Sequence, residues 1–189
     1  MTKDILKLSA TFLGLDEVVE YLNTPNTTPN QEVSEKLNQL LVYTNYIIRE
    51  ITKEYYPLST SELLLSDDNC QIYYTNFQEQ PIGIKDIKNT SNLSVTFNLY
   101  PEYVKVGTPN SEYLVKYNFI PKPIKTIDQN FNLPIGLDYF IISYGVASEY
   151  CLSKLLYNEA ELWESKFKNS LERIKSRIGD RRFYARRLK

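Results

Sequence analysis

The sequence predicts an α+β fold, mainly a helical bundle with an inserted small antiparallel β module and an extended C-terminal tail. Three observations lead to this prediction. Apolar residues recur at three- and four-residue steps near both ends of the chain, as they do on one face of a helix. In the middle, apolar and polar residues alternate with a period of two, which is typical of strands. The final residues are basic and aromatic, and they are too few to form a core.

Residues 1–57 are predicted to supply the N-terminal helices of the bundle. A first amphipathic helix is expected to end at Gly14, and a short second helix is expected to begin with Asp16 as its N-cap. After a loop rich in Pro, Asn and Thr, a long helical pattern covers about residues 31–55. Pro57 ends this pattern because proline cannot continue a helix.

Residues 58–123 are predicted to form the inserted β module. Five short stretches either alternate in polarity or are rich in β-branched and aromatic residues, and turn-forming residues separate them. The expected strands are 71–77, 82–87, 93–97, 103–106 and 113–117. Their short, regular spacing favours a small antiparallel sandwich or barrel-like sheet.

Residues 124–178 are predicted to be the C-terminal helices of the same bundle. One helical pattern runs over 137–155 and, after a kink at Tyr157, a second runs over 160–178. Complementary apolar faces favour packing of these helices on the N-terminal ones, with the β module projecting from the bundle. Trp163 lies on a predicted buried face, so its truncation to Ala is expected to destabilise the fold by about 3–5 kcal/mol.

The tail, residues 179–189, differs in charge from the rest of the chain. Residues 175–189 carry a net charge of +6, whereas the remainder carries −7. Three interpretations stay open: a solvated charge run, an arm that binds nucleic acid, and a peptide that inserts into an acidic partner. Phe183, Tyr184 and Leu188 weigh against simple solvation, although the rings of Phe183 and Tyr184 could also stack on bases.

The composition argues against an enzyme. The chain contains no histidine, which removes the usual general base and zinc ligand, and its six glycines form no phosphate-binding loop. Asp67 and Asp68 are expected to form a hairpin turn, and Glu159, Glu161 and Glu164 are expected to be the acidic start of a helix. We therefore expect no catalytic site, no cofactor and no metal, with a carboxylate-based enzyme as a third, weaker class.

Two further features concern location and contact. Cys70 and Cys151 are expected to be reduced, partly buried thiols, because the sequence shows no signal peptide and no apolar run long enough to span a membrane. Sixteen tyrosines exceed what a core of this size needs. Tyrosine suits partly wet contacts, so this excess favours interaction surfaces, although AT-rich coding would also raise the tyrosine content.

Three segments resemble tailed-bacteriophage head-to-tail adaptor proteins, also called connector or ring proteins. The segments are 113–123 (YLVKYNFIPKP), 144–152 (YGVASEYCL) and 159–168 (EAELWESKFK). The resemblance implies a virion structural protein at the head–tail junction, made in the host cytoplasm. It implies a homo-oligomeric ring of about a dozen copies, closed by heterologous contacts, through which genomic DNA passes without sequence recognition.

The resemblance also implies partners. The portal protein would lie on one side of the ring, and tail or further ring proteins would lie on the side of the β module; no membrane partner is expected. The portal-binding residues would be Arg181, Arg182, Phe183, Tyr184, Arg186, Arg187 and Leu188. The chemistry agrees, because a peptide that becomes ordered on its partner needs buried aromatics and paired guanidinium groups. The alternative is a nucleic-acid-binding module that uses the basic C-terminal arm, which the acidic remainder of the chain opposes.

Overall fold

The computed structural model describes residues 1–24, 28–131 and 137–178, without the side chains of 175–178. These residues form five α-helices and two three-stranded antiparallel sheets, which confirms the predicted α+β class. The chain divides into two compact units, and each is described by itself. The helical unit comprises the described parts of Met1–Ile48 and of the chain from Ile124 onward, and the β unit is Arg49–Pro123. None of the described helices is long and apolar enough to cross a bilayer.

The helices follow the predicted apolar patterns. They are α1 (Thr2–Phe12), α2 (Asp16–Asn23), α3 (Gln31–Glu50), α4 (Tyr139–Ser153) and α5 (Tyr157–Ile178). The predicted helix over 31–55 is α-helical only to Glu50 and continues as a π-helix over Ile51–Tyr55. Asp16 is the first residue of α2, and the N-cap is Leu15 instead. The Asp16 carboxylate still lies at the positive end of the helix dipole, where a negative charge is stabilising.

Helix α4 is the central helix of the helical unit. It packs against α1 and α5, and its residues are buried on nearly all sides. Two buried hydroxyls have carbonyl partners: Ser143 Oγ lies 2.9 Å from the Tyr139 carbonyl oxygen of its own helix and 3.2 Å from that of Ile5 in α1, and Ser148 donates to the Ala160 carbonyl at 3.0 Å. Because a buried hydroxyl without a partner is costly, the Ser148 bond favours the packing of α4 on α5.

The β unit contains six strands. They are β1 (Leu58–Leu65), β2 (Gln71–Tyr73), β3 (Gln80–Lys88), β4 (Asn98–Leu99), β5 (Tyr103–Lys105) and β6 (Glu112–Ile120). One sheet has the order β1-β6-β3 and the other β2-β5-β4. A single buried cluster draws residues from both sheets, with Ile72, Ile87, Val104, Val115 and Tyr117 at its fully buried centre.

The strand predictions were wrong in three places. The predicted strand 71–77 is a strand only over Gln71–Tyr73 and continues as a 3₁₀ turn over Tyr74–Asn76. The stretch 93–97 forms only one isolated bridge, between Ser94 and Lys88, and β4 begins later, at Asn98. Strand β1 was not among the expected strands, yet it pairs with β6 over its whole length without interruption. The sequence obscured β1 because two leucines on its exposed face, Leu63 and Leu65, break the alternation of polarity.

Candidate interaction surfaces

The predicted portal-binding residues lie outside the described residues. They are Arg181, Arg182, Phe183, Tyr184, Arg186, Arg187 and Leu188. The predicted extended tail, residues 179–189, lies outside them as well. The candidate surfaces that follow therefore belong to the helical unit and the β unit.

Asp67 and Asp68, considered as a possible metal or acid–base pair, have structural partners. Asp67 Oδ1 accepts from the backbone N–H groups of Asn69, at 2.9 Å, and Gln71, at 2.7 Å. Asp68 Oδ1 accepts from the Asn110 side-chain amide at 2.7 Å. These bonds show a turn at Asp67 and Asp68, as expected, but not a hairpin, because β1 pairs with β6 and β2 pairs with β5 in the other sheet. Among the described residues, no group of three or more metal-ligating side chains comes together.

The helical unit contains a cluster of three half-buried rings. Phe12 of α1 stacks on Trp163 of α5 with centroids 4.9 Å apart and on Tyr144 of α4 at 5.3 Å. Lys166 Nζ lies 4.2 Å from the centroid of Trp163, within the range of a cation–π contact. Trp163 was expected in the core, but it lies at the margin, where Phe12 and Lys166 cover it. The cluster joins three helices, so its role is structural.

The turn between α4 and α5 exposes a group of large apolar side chains, which we call the apolar knuckle: Leu152, Leu155, Leu156 and Tyr157. Leu155 is 69% exposed and Tyr157 is 64% exposed. Side chains of this size usually avoid such exposure in a contiguous group, and contiguous apolar patches often mark interaction sites. The apolar knuckle is therefore the leading candidate surface in the helical unit.

The backbone of the apolar knuckle is also unusual. Leu155 has φ of +61°, in the left-handed region where glycine is normally found at a helix end. The Leu156 N–H donates to the Cys151 carbonyl at 3.0 Å and the Leu155 N–H to the Leu152 carbonyl at 3.0 Å, which closes α4. A non-glycine residue in this conformation costs roughly 1–2 kcal/mol. An exposed leucine held at that cost points to a role outside the stability of the fold.

Three further groups have side chains that can ionise or react: the two cysteine thiols and a buried pair formed by Tyr117 and Glu62. Cys151 is buried, and burial raises the pKa of its thiol; Cys70 is half-buried, and both are free, as predicted. In the β unit, Tyr117 is fully buried and donates to the Glu62 carboxylate. Burial first, and then this bond to Glu62, raise the pKa of Tyr117 to about 12. Burial disfavours the thiolate form of Cys151, and the Tyr117 hydroxyl joins β6 to β1.

The outer face of the sheet that contains β1 carries a second apolar surface. Leu63 of β1, which is 68% exposed, lies directly opposite Leu114 of β6, and Leu65 follows on the same face. Lys116 pairs in register with Asp86 beside them. Cross-strand apolar pairs stabilise a sheet, but this pair faces outward and is only partly covered.

A groove of about 730 Å³ lies elsewhere in the β unit. It is bounded by the start of β3, by the 3₁₀ turn before it and by the residues after β4. Tyr100, on its rim, stacks on Tyr103 at 4.8 Å, and Tyr103 contacts Tyr73 at 5.8 Å. These three tyrosines account for part of the tyrosine excess, and together with the groove they form a partly exposed aromatic surface.

No protein-family model matches the chain, and no curated protein matches it. The surfaces described above therefore carry the functional argument.

Proposed function

We propose that this chain is a virion structural protein that forms a ring between portal and tail and docks on the portal through its C-terminal segment. The observation that carries the proposal is the apolar knuckle. It holds large apolar side chains in the open, and it does so in a strained backbone conformation at Leu155. An assembly protein needs such a surface, whereas a chain that works alone does not.

A closed ring needs two different surfaces that fit each other, because its contacts are heterologous. The helical unit offers a second exposed apolar pair besides the apolar knuckle: Val42 and Tyr46, one helical turn apart on α3. Residues four apart on a helix lie side by side, so the two side chains form one patch. The two surfaces differ in composition and lie on different helices, as a heterologous contact requires.

Charge and sequence support the remaining parts of the proposal. The C-terminal segment combines four arginines with Phe183, Tyr184 and Leu188, which suits a peptide that becomes ordered on an acidic partner. The rest of the chain is acidic, which is compatible with a channel along which DNA slides without binding. The resemblance to adaptor proteins joins these features into one function.

Co-sedimentation with the cognate portal ring tests the proposal. We expect the full-length protein to travel with the portal ring, and we expect R182A/F183A to bind less while its thermal unfolding stays unchanged. Lys7→Ala, which removes an exposed positive charge from α1 near the other end of the chain, is a control that should bind normally. If neither the full-length protein nor the control binds the portal, the proposal is wrong.

The alternative function is a nucleic-acid-binding module that uses the basic C-terminal arm. The observation that favours it is the +6 charge of residues 175–189. It predicts that the free protein binds duplex DNA with an affinity that falls steeply as salt rises, and that R182A/F183A reduces both the affinity and the salt dependence. Portal binding without DNA binding would exclude this alternative.

A further inference from the structure

The groove of the β unit contains a carboxylate with an incomplete set of partners. Glu79 lines the groove, and its Oε2 atom is buried without a hydrogen bond from any described residue. Its Oε1 atom lies 3.5 Å from Lys122 Nζ, but that lysine is 71% exposed. An exposed ion pair contributes little, and a buried polar atom without a partner is uncommon in native proteins. Glu79 is therefore in a position to accept a cationic donor that enters the groove.

The rest of the lining is neutral and largely apolar. Glu79 is the charged residue among those that line the groove, beside the rings of Tyr74, Phe77 and Tyr100 and the side chain of Ile82. A second carboxylate is close, because both oxygens of Glu62 lie 3.3 Å from the backbone nitrogen of Gln78. The groove thus offers a negative charge next to an aromatic surface. This combination suits a ligand that carries a cationic group, either guanidinium or ammonium, together with aromatic rings.

The backbone of β3 suits an extended ligand. Strand β3 lies at the edge of its sheet, with β6 as its strand neighbour, and its first residues line the groove. Near its other end, the Ile87 carbonyl accepts from the Val95 N–H at 2.8 Å, so only the end beside the groove is open in the described residues. Open strand edges pair with extended peptides. A peptide, rather than a compact small molecule, fits this combination of edge, charge and rings.

We propose that this groove binds the C-terminal segment, residues 179–189, of a second copy of the chain. The segment (GDRRFYARRLK) contains the chemistry that the groove selects: arginines for Glu79, and Phe183 and Tyr184 for the ring of Tyr100. Its positive charge is opposite to that of the remainder of the chain. The contact rests on complementary charge and rings; it is a contact of the free protein and does not depend on portal docking.

A binding measurement tests the groove without any portal. The probe is a fluorescein-labelled synthetic peptide of residues 179–189, titrated by fluorescence anisotropy with full-length protein that carries R182A/F183A, so that its own segment does not compete. We expect saturable binding. Glu79→Gln in the same background should weaken it about tenfold, because a charge-assisted hydrogen bond is lost. Tyr100→Ala, on the exposed rim, should weaken binding as well.

The controls separate this site from general attraction between charges. Glu112→Gln removes an exposed carboxylate of the same unit, on β6, and should leave the affinity unchanged. A peptide in which alanine replaces Phe183 and Tyr184 keeps its charge and should bind more weakly. Equal affinity for the Glu79→Gln protein and its parent overturns the proposal, as does equal binding of the two peptides. Thermal unfolding of each variant checks that the β unit is intact, and Tyr100→Ala still tests the site if Glu79→Gln does not fold.

The origin of the bound segment is tested with the wild-type chain. Sedimentation velocity should show a mass that rises with protein concentration and falls when the unlabelled peptide is added in excess. A wild-type chain that stays monomeric at every concentration, while the peptide binds the groove, overturns the assignment to a second copy.

Discussion

Gly145 of α4 lies directly against the side chain of Ile47 of α3. A Cβ atom at position 145 would stand 2.8 Å from Ile47 Cδ1 and 3.0 Å from both Cγ1 and Cγ2. Ile47 is buried and β-branched, so it has little freedom to move away. The absence of a side chain at Gly145 is therefore what allows the two helices to approach this closely.

Gly145→Ala is expected to destabilise the helical unit. In an isolated helix this change would gain about 1 kcal/mol, but the clash with Ile47 costs about 1–3 kcal/mol, so we expect a net loss. Urea unfolding measures it. Gly107→Ala is a suitable control because a Cβ there meets nothing within 4 Å. Ile47→Ala alone is destabilising because it leaves a cavity, but the loss in the double variant with Gly145→Ala should be smaller than the sum of the two single losses. A gain in stability for Gly145→Ala alone would contradict this packing.

The stability of the β unit is expected to fall at alkaline pH. The folded state holds the pKa of Tyr117 at about 12, above the ordinary value of 10.0. This stabilisation is complete below pH 10 and is lost as the pH rises from 10 to 12, because the unfolded state releases the proton first. The loss amounts to at most about 2–3 kcal/mol.

Tyr117→Phe isolates this contribution in thermal unfolding between pH 8 and 12. At pH 8 the variant should be less stable by about 1.5–3 kcal/mol, since Glu62 loses a donor. Its stability should then fall less steeply above pH 10, although burial also raises the pKa values of Tyr56 and Tyr74 in the same unit. Tyr73→Phe, on the exposed surface, is the control. Parallel pH curves for wild type and Tyr117→Phe would show that another group governs the alkaline transition.

The sequence predicted the helices better than the strands, for a physical reason. The ends of α4 and α5 fall close to the predicted limits because their helical patterns are long. Strand β1 and the stretch 93–97 were misjudged because short strands carry few residues and their faces depend on what covers them. Leu63 is exposed and Val104 is buried. This difference depends on which faces of the two sheets contribute to the buried cluster.

The candidate surfaces were harder to predict than the fold. The C-terminal residues from Arg181 to Leu188 are recognisable in the sequence by their charge. The apolar knuckle depends on a left-handed backbone at Leu155, and a leucine gives no sequence signal for that conformation. The groove joins Glu79 to Tyr100, which are far apart in sequence. Only the antiparallel pairings that bring distant strands together produce it.

Trp163→Ala is expected to cost about 2–3 kcal/mol, less than a fully buried tryptophan would. The ring is half-buried, and the loss combines partial burial with stacking on Phe12, which contributes about 0.5–1.5 kcal/mol. A double-mutant cycle with Phe12→Leu in urea unfolding measures the coupling. Helix signal from circular dichroism follows the transition, since the variant lacks the only tryptophan of the chain. Additive losses for the two changes would mean that the rings do not act together.

The backbone strain at Leu155 lowers the stability of the helical unit, whereas its exposed side chain is expected to favour association. Two substitutions separate these effects. Leu155→Gly removes both the side chain and the strain of a φ of +61°, so it should stabilise the helical unit by about 0.5–1 kcal/mol. Leu155→Ala removes the side chain but keeps the left-handed strain, so its stability should change little. Both should weaken ring formation, measured by mass photometry of the protein with and without the portal ring. The Leu155 side chain is 69% exposed in the single chain, so we expect it to contribute to association rather than to folding. If Leu155→Gly is more stable and both variants assemble like wild type, the backbone strain is real but the apolar knuckle is not the contact between copies.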